Sequence, residues 1–336
     1  MEYFMKNVSI RDVATLAGVS IATVSHVING TRNVNDTTRA AVEKAIEELH
    51  YVPDSTARSF KTGKRNLVGF VVPDISNAYF STMIEEVEDI LAQEGYRLLV
   101  LNTREDPVRE AEGLNVLTSG LVDGLILATT MTDCKCLTAS IPNGFPVVLI
   151  DRYLPGAPYD AVSVSSYGSM RLGIDYLIRK GHRKIGFLTG IPNISTTADR
   201  LKAYQDGMAA GGLSTENLIQ VGTSSTKLRS ENLDALLEQG CTALVVSNNV
   251  LSIEVRILLG KRNISVPNDI EILGFLDSDH AQYGLQKMSL INQPTAEQGR
   301  TAGRLLLSRM HNADAPLQNV ILQAAFMPVE QNKLIF

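Results

Sequence analysis

Two hydrophobic periodicities divide the chain. Over the first fifty residues apolar positions recur at helical spacing. From Leu67 onward, short continuous apolar runs alternate with amphipathic segments. Ser9 followed by Asp12 forms a capping box, in which hydroxyl and carboxylate satisfy backbone N–H groups left open at a helix start. Val13 and Leu16 are expected to face inward. Gly18 falls where this helix must end in a left-handed residue, Val19 packs beneath the turn, and Ser20 caps a second helix with inner face Val24, Val27 and Ile28. A third helix over residues 35–51 carries Val42, Ala45, Ile46 and Leu49 on one stripe and Glu43, Lys44, Glu47 and Glu48 opposite. A three-helix unit of about fifty residues has a core that is only marginally stable alone.

In the remainder, apolar runs at residues 67–72, 97–101, 124–128, 146–150, 185–188, 243–246 and 270–276 read as strands buried on both faces. Helices are expected near 79–94, 108–119, 168–180, 198–210, 229–239, 250–262 and 295–311. Such alternation implies parallel sheets with right-handed crossovers. Some 270 residues exceed one sheet unit, so two lobes follow. The break is expected near 162–166, a return near 291–294 and a third crossing near 323–326. This is a hinged arrangement resembling periplasmic sugar-binding proteins. The fold class is therefore α/β: an all-α helix-turn-helix headpiece (1–52), a linker with a short helical stretch (53–64), and a two-lobed core (65–336). The N-lobe takes about 65–163 and 293–321, the C-lobe about 164–292 and 322–336.

The net charge of −5 argues at first against nucleic acid. Residues 1–65, however, hold nine Lys or Arg against seven Asp or Glu, a net of +2, while the rest holds 22 against 29, a net of −7. A mildly basic small end on an acidic body suits a protein that touches DNA with that end alone, because phosphate contacts are local and screened. Cys134, Cys136 and Cys241 form no C-x-x-C spacing, so buried or inert thiols are expected rather than a disulfide framework or zinc site. No apolar run reaches the roughly 18 residues of a membrane span and no export signal is seen, so a cytoplasmic protein without membrane partner is expected.

The outer face of the second helix is Ile21, Ala22, Ser25, His26 and Asn29, small or hydrogen-bonding groups that suit insertion into a major groove. Spacing alone leaves open a chance Ala-Gly-Val-Ser turn. The following segment, Tyr51-Val-Pro-Asp-Ser-Thr-Ala-Arg-Ser-Phe, has Pro53 to end a helix and Asp54 or Ser55 to cap a short one that is unstable alone.

Ile10-Arg-Asp-Val-Ala with Ala17-Gly-Val-Ser, then Asn29-Gly30 and the Tyr51–Phe60 stretch, resemble the headpiece and hinge of the lactose/galactose-repressor (LacI/GalR) family. The Thr23–Asn29 segment is similar to the recognition helix of its purine-repressor members. The resemblance continues through Val71-Val-Pro-Asp-Ile-Ser-Asn, Gly181-His-Arg-Lys-Ile-Gly, Val266-Pro-Asn-Asp-Ile and Gly274-Phe, almost the whole chain in the family's order. It implies DNA contacts from Ser9, Ser20, Ile21, Ala22, Thr23, Ser25, His26 and Asn29, with His26 reading a base where the family more often has arginine; a phosphate contact or a solvent-facing ring is the alternative for His26. It also implies a hinge helix that orders when two copies pair in the minor groove, with Thr56, Ala57, Phe60 and Lys61 at the DNA. Phe60 stands where the family has a wedging leucine; the alternative is that it docks on the body.

Ligands of open parallel sheets gather beyond the carboxyl ends of strands. That rule points to residues 74–80, 151–152, 191–200, 248–249 and 276–277, where carboxylates, amides and arginines beside aromatic rings suit a polyhydroxylated molecule. The resemblance assigns effector contacts to Tyr79, Phe80, Asp151, Arg200 and Asn248 and to the position of Leu276; Arg152, which either pairs with Asp151 or holds an acidic ligand, Thr196, four residues before Arg200, and Asp277, which would compensate for Leu276 through a shifted backbone, are candidates by their place beside these. For Tyr79 and Phe80, packing into their own lobe is an equal alternative. Asn249 replaces a usual aspartate, and Leu276 replaces the carboxylate of Gly-Phe-Asp. With Arg152 and Arg200 present, a sugar acid or sugar phosphate is favoured.

The expected function is a repressor of carbohydrate-metabolism genes, binding a palindromic operator as a homodimer and controlled by a small effector. With no heptad tail for tetramers after Pro328, a dimer is expected. No cofactor or metal is expected. A sugar-binding carrier shares the lobes but needs export. An enzyme lacks support, since no P-loop, G-x-G-x-x-G or metal-spaced histidine occurs.

Overall fold

A computed structural model describes residues 8–52, 64–190, 194–224, 226–276 and 287–330. The chain forms two compact units, residues 1–65 and 66–336.

The first holds helices α1 (Ile10–Ala17), α2 (Ile21–Asn29) and α3 (Asp36–Glu48). Asp12 accepts hydrogen bonds from the Ser9 backbone N–H (2.8 Å) and its hydroxyl (2.7 Å), so the carboxylate does the capping and the Ser9 hydroxyl is turned to it. Gly18 closes α1 at φ +67°, and Ser20 caps α2 by accepting from the Thr23 N–H at 3.1 Å. Val13, Ala14, Val24, Val42 and Ala45 form the buried core. Leu16 departs from expectation and is 48% exposed. The inward stripe of so short a helix is taken by positions 13, 14 and 17, and Leu16 lies beside it.

The second unit contains two six-stranded sheets. The first sheet is built from β1 (Leu67–Val72), β2 (Arg97–Asn102), β3 (Gly124–Leu127), β4 (Val147–Asp151), β5 (Asp160–Ser165) and β11 (Asn319–Gln323), in the order β11-β5-β4-β3-β1-β2. The second is built from β6 (Ile185–Thr189), β7 (Ile219–Val221), β8 (Ala243–Val246), β9 (Glu271–Phe275), β10 (Ser289–Asn292) and β12 (Ala325–Met327), in the order β12-β10-β9-β8-β6-β7. Every pairing between these strands is parallel except β10 with β12. The chain leaves the first sheet after Ser165, returns after Asn292, and crosses once more between Gln323 and Ala325.

Helices pack on both sheets: α4 (Ala78–Gln93), α5 (Pro107–Thr118), α6 (Cys134–Ala139), α7 (Tyr167–Arg179), α8 (Ser195–Ala210), α9 (Ser230–Glu238), α10 (Asn249–Lys261) and α11 (Thr295–His311). The returning α11 lies tightly on α4. A Cβ at Gly299 would come within 2.9 Å of the Met83 carbonyl oxygen, so a larger residue there would push the helices apart. Strands β5, β7, β10, β11 and β12 and helix α6 were not foreseen. Cys241 is buried as expected, whereas Cys136 is exposed, its thiol hydrogen-bonded to Asp133, which holds it above its usual range.

Candidate ligand cleft and nucleic-acid interface

The carboxyl ends of the two sheets face one another across a cleft that is open to solvent. Its first wall begins after β1. Asn77 caps α4 by accepting from the Tyr79 N–H (3.1 Å), which delivers Tyr79 and Phe80 to the cleft. Both rings are also buried in the apolar cluster of their own lobe and meet edge to face at 5.3 Å. Lining and packing, the two alternatives for this pair, are thus met by the same side chains. The Tyr79 hydroxyl lies 2.9 Å from Asp151 Oδ1 and 2.8 Å from Gln298 Oε1, and it accepts from Gln293 Nε2 at 3.1 Å.

Asp151 ends β4 with φ +66°, a left-handed turn that aspartate tolerates better than most residues. Burial pushes its carboxyl above the usual range, against the pull of Arg152, Arg200 and the Tyr79 hydroxyl. Arg152 does not stand free for an acidic ligand. Its guanidinium forks onto Glu105 at 2.9 and 2.7 Å and reaches the Thr129 carbonyl at 3.3 Å. Burial works against its charge, but the Glu105 bonds outweigh that and raise its pKa.

On the second wall, α8 supplies Thr196 and Arg200, and Asn248 caps α10 by accepting from the Leu251 N–H at 2.9 Å. Arg200 lies 4.0 Å over the Phe275 ring and donates to the Ser247 carbonyl (2.6 Å) and Gln293 Oε1 (3.3 Å). Its Nε has no hydrogen-bond partner among the described residues, and burial lowers its pKa. Asn249 Nδ2 donates to Asn77 Oδ1 across the cleft at 2.6 Å.

Of the effector residues expected from sequence, Tyr79, Phe80, Asp151, Arg152, Thr196, Arg200 and Asn248 line this cleft. Leu276 does not. It is 4% exposed within the apolar core of the second lobe, where an isobutyl group gains more by leaving water than by facing a polar cleft. Asp277 lies outside the described residues. The cleft also uses Glu105, Thr226 and Gln293, which sequence reasoning missed. The strand-end rule, applied to β2, would have pointed to Glu105. Gln293 sits in the return crossing itself, whereas Thr226 follows a three-residue strand too short to show a pattern.

On the headpiece, Ile21, Ala22 and Asn29 of α2 are exposed, and Thr23, Ser25 and His26 are half-buried. His26 Nδ1 meets the Thr31 hydroxyl at 2.9 Å, which leaves Nε2 on the far edge of the ring. Asn29 Nδ2 donates back to the Ser25 carbonyl at 2.8 Å. Ser9 and Ser20 are exposed caps. Thr56, Ala57, Phe60, Lys61 and the expected hinge helix lie outside the described residues.

A family profile described as bacterial regulatory proteins, lacI family, matches residues 9–54, and one described as a periplasmic binding protein-like domain matches residues 174–328. The transcriptional repressor PurR of Haemophilus influenzae is 32% identical over 314 residues, covering 92% of this chain and 93% of its own. A periplasmic binding protein/LacI transcriptional regulator from Alkaliphilus metalliredigens, solved with D-xylulofuranose, is 25% identical at a TM-score of 0.67, over 78% of this chain and 97% of that one. The lac repressor dimer bound to operator and the anti-inducer ONPF superposes with a TM-score of 0.83 at 22% identity, over 98% and 100%.

Proposed function

Because this chain belongs to the LacI family of bacterial regulatory proteins, joining a helix-turn-helix headpiece to a periplasmic-binding-protein-like core, we propose that it represses carbohydrate-metabolism genes as an effector-controlled homodimer on a palindromic operator. It is a DNA-binding transcriptional repressor, like its relatives, and not an enzyme. Among the described residues no helix is long and apolar enough to cross a membrane. Since its DNA-binding family acts on bacterial genes, we place the protein in the cytoplasm at the nucleoid.

The observation that carries the ligand reading is the cleft itself. Tyr79, Asp151, Asn248 and Arg200 converge on it from elements of both sheets, offering an aromatic ring, acceptors and a cation. That mixture fits a hydroxylated ring, and a sugar occupies the similar regulator from Alkaliphilus metalliredigens. With Arg152 held by Glu105, the preference for a sugar acid or sugar phosphate rests on Arg200, whose Nε remains to be satisfied. A ligand held by both walls favours one angle between the lobes, and only such a difference in affinity can pass a signal onward. The headpiece presents α2 to the major groove, with His26 Nε2 as the base-reading atom; two-fold pairing of headpieces requires an inverted repeat.

Selection of bound duplexes from a random pool tests both halves, run with no sugar and with gluconate, glucose 6-phosphate or glucose. An inverted repeat should be enriched, and an acidic sugar should change its recovery in one direction. Absence of any enriched sequence defeats the regulator. Calorimetric binding of glucose alone defeats the acid preference.

A further inference from the structure

Past Asp151 and Thr196 the cleft opens into a second chamber of about 840 Å³ that the proposed function leaves unused. Tyr153, just beyond β4, and Ser163 of β5 line it from the first sheet. Asp199 of α8 lines it from the second lobe, and Asn319 and Gln323 of the edge strand β11 complete it. Of that space, which is partly open to solvent, about 400 Å³ is enclosed, within the range of small-ligand pockets, roughly 300–1,000 Å³.

Three features of this chamber point to the same ligand. First, Tyr153 is 41% exposed, so a ring that elsewhere in the body would be packed is left with a face toward the cavity. Aromatic rings hold the apolar side of a saccharide in this way. Second, among the described residues no hydrogen bond occupies the side chains of Ser163, Asp199, Asn319 or Gln323, so hydroxyl, carboxylate and two amides are available together. Third, the described lining contains Asp151 and Asp199 but no lysine or arginine. A phosphate or carboxylate would be repelled there, whereas neutral hydroxyls would find acceptors. Burial and then the Asp199 charge push the Tyr153 hydroxyl above its usual range, which places ring and carboxylate within electrostatic reach across the opening.

We propose that this chamber is a second glycosyl subsite, so that the effector carries more than one ring and its neutral second unit seats against Tyr153 with hydroxyls on Asp199, Asn319 and Gln323. The inference rests on the sugar reading of the adjoining cleft. It divides the ligand electrostatically, with any acidic group at Arg200 and a neutral unit beyond Asp151. Since the second unit touches both lobes, it adds to whatever preference the first creates for one interlobe angle.

Calorimetric titration of the full chain with paired probes, glucose and cellobiose, galactose and lactose, gluconate and cellobionate, tests this. In at least one pair the two-ring member should bind ten-fold or more tightly than its one-ring partner. Tyr153→Ala and Asp199→Asn should each erase about ten-fold of that gain while leaving one-ring affinity within two-fold. Equal binding of both members in every pair overturns the subsite and leaves the sugar reading standing, as does an equal loss for both members in the variants. Failure of every probe to bind overturns the sugar reading together with the subsite.

Discussion

Asp151 and Arg152 are neighbours in sequence, and their environments send them to different tasks. Arg152 is consumed by Glu105, a partner 47 residues away, while Asp151 is buried beside the Tyr79 hydroxyl and keeps a raised pKa through loss of hydration. A carboxyl whose folded pKa exceeds its unfolded value penalises folding wherever it is charged. The penalty is present above the folded pKa and vanishes below the unfolded one. Asp151→Asn should therefore raise the melting temperature of the ligand-free protein at pH 7, and the gain should shrink as pH falls through the raised pKa. Thermal scans across pH measure this; a gain that stays constant with pH would assign it to packing instead. The same substitution removes an acceptor from the cleft, so effector affinity should fall as stability rises.

At the scale of elements, most of the chain was legible. The helices expected near 79–94, 108–119, 168–180, 198–210, 229–239, 250–262 and 295–311 begin and end within a few residues of those observed, because 3.6-residue apolar spacing and caps such as Asn77 and Asn248 are local signals. Three of the strands that escaped notice are of another kind. β11, with alternating exposed and half-buried residues at a sheet edge, lacks a continuous apolar run, and β7 and β12 are three residues long. Their strand character comes from the neighbour they pair with. The turn between α1 and α2 is fully local by contrast. A Cβ at Gly18 would meet nothing within 4 Å, so φ +67° alone sets the cost of Gly18→Ala, about 1–2 kcal/mol. Amide exchange should show the loss across α1 to α3, with protection in residues 66–336 unchanged; loss in both units would mean that they do not unfold separately.

For the whole molecule, the crossings that make one cleft from two sheets also decide how firmly it is held. Gln293, in the returning segment, links the Tyr79 hydroxyl of one lobe to Arg200 of the other, and Asn249 ties directly to Asn77. A hydrogen bond of this kind contributes about 1 kcal/mol net, roughly five-fold in a two-state ratio. Asn249→Ala should thus shift the ligand-free body toward wider interlobe angles, seen as a larger radius in small-angle scattering, and effector should restore the wild-type value. An unchanged radius would show that this tie does not set the angle.

Sequence by itself determined the kinds of element, their order, the small basic end on an acidic body, and most of the side chains that line the cleft. These follow from periodicity, capping and the rule that parallel strands deliver ligands at their carboxyl ends, all of which act over a few neighbouring residues. Only the tertiary structure decided that Glu105 neutralises Arg152, that Leu276 turns into the core, and that Gln293 stands between the lobes. Those outcomes depend on which distant groups are brought within hydrogen-bonding distance, and on whether burial leaves a charge a partner, neither of which is written in local spacing.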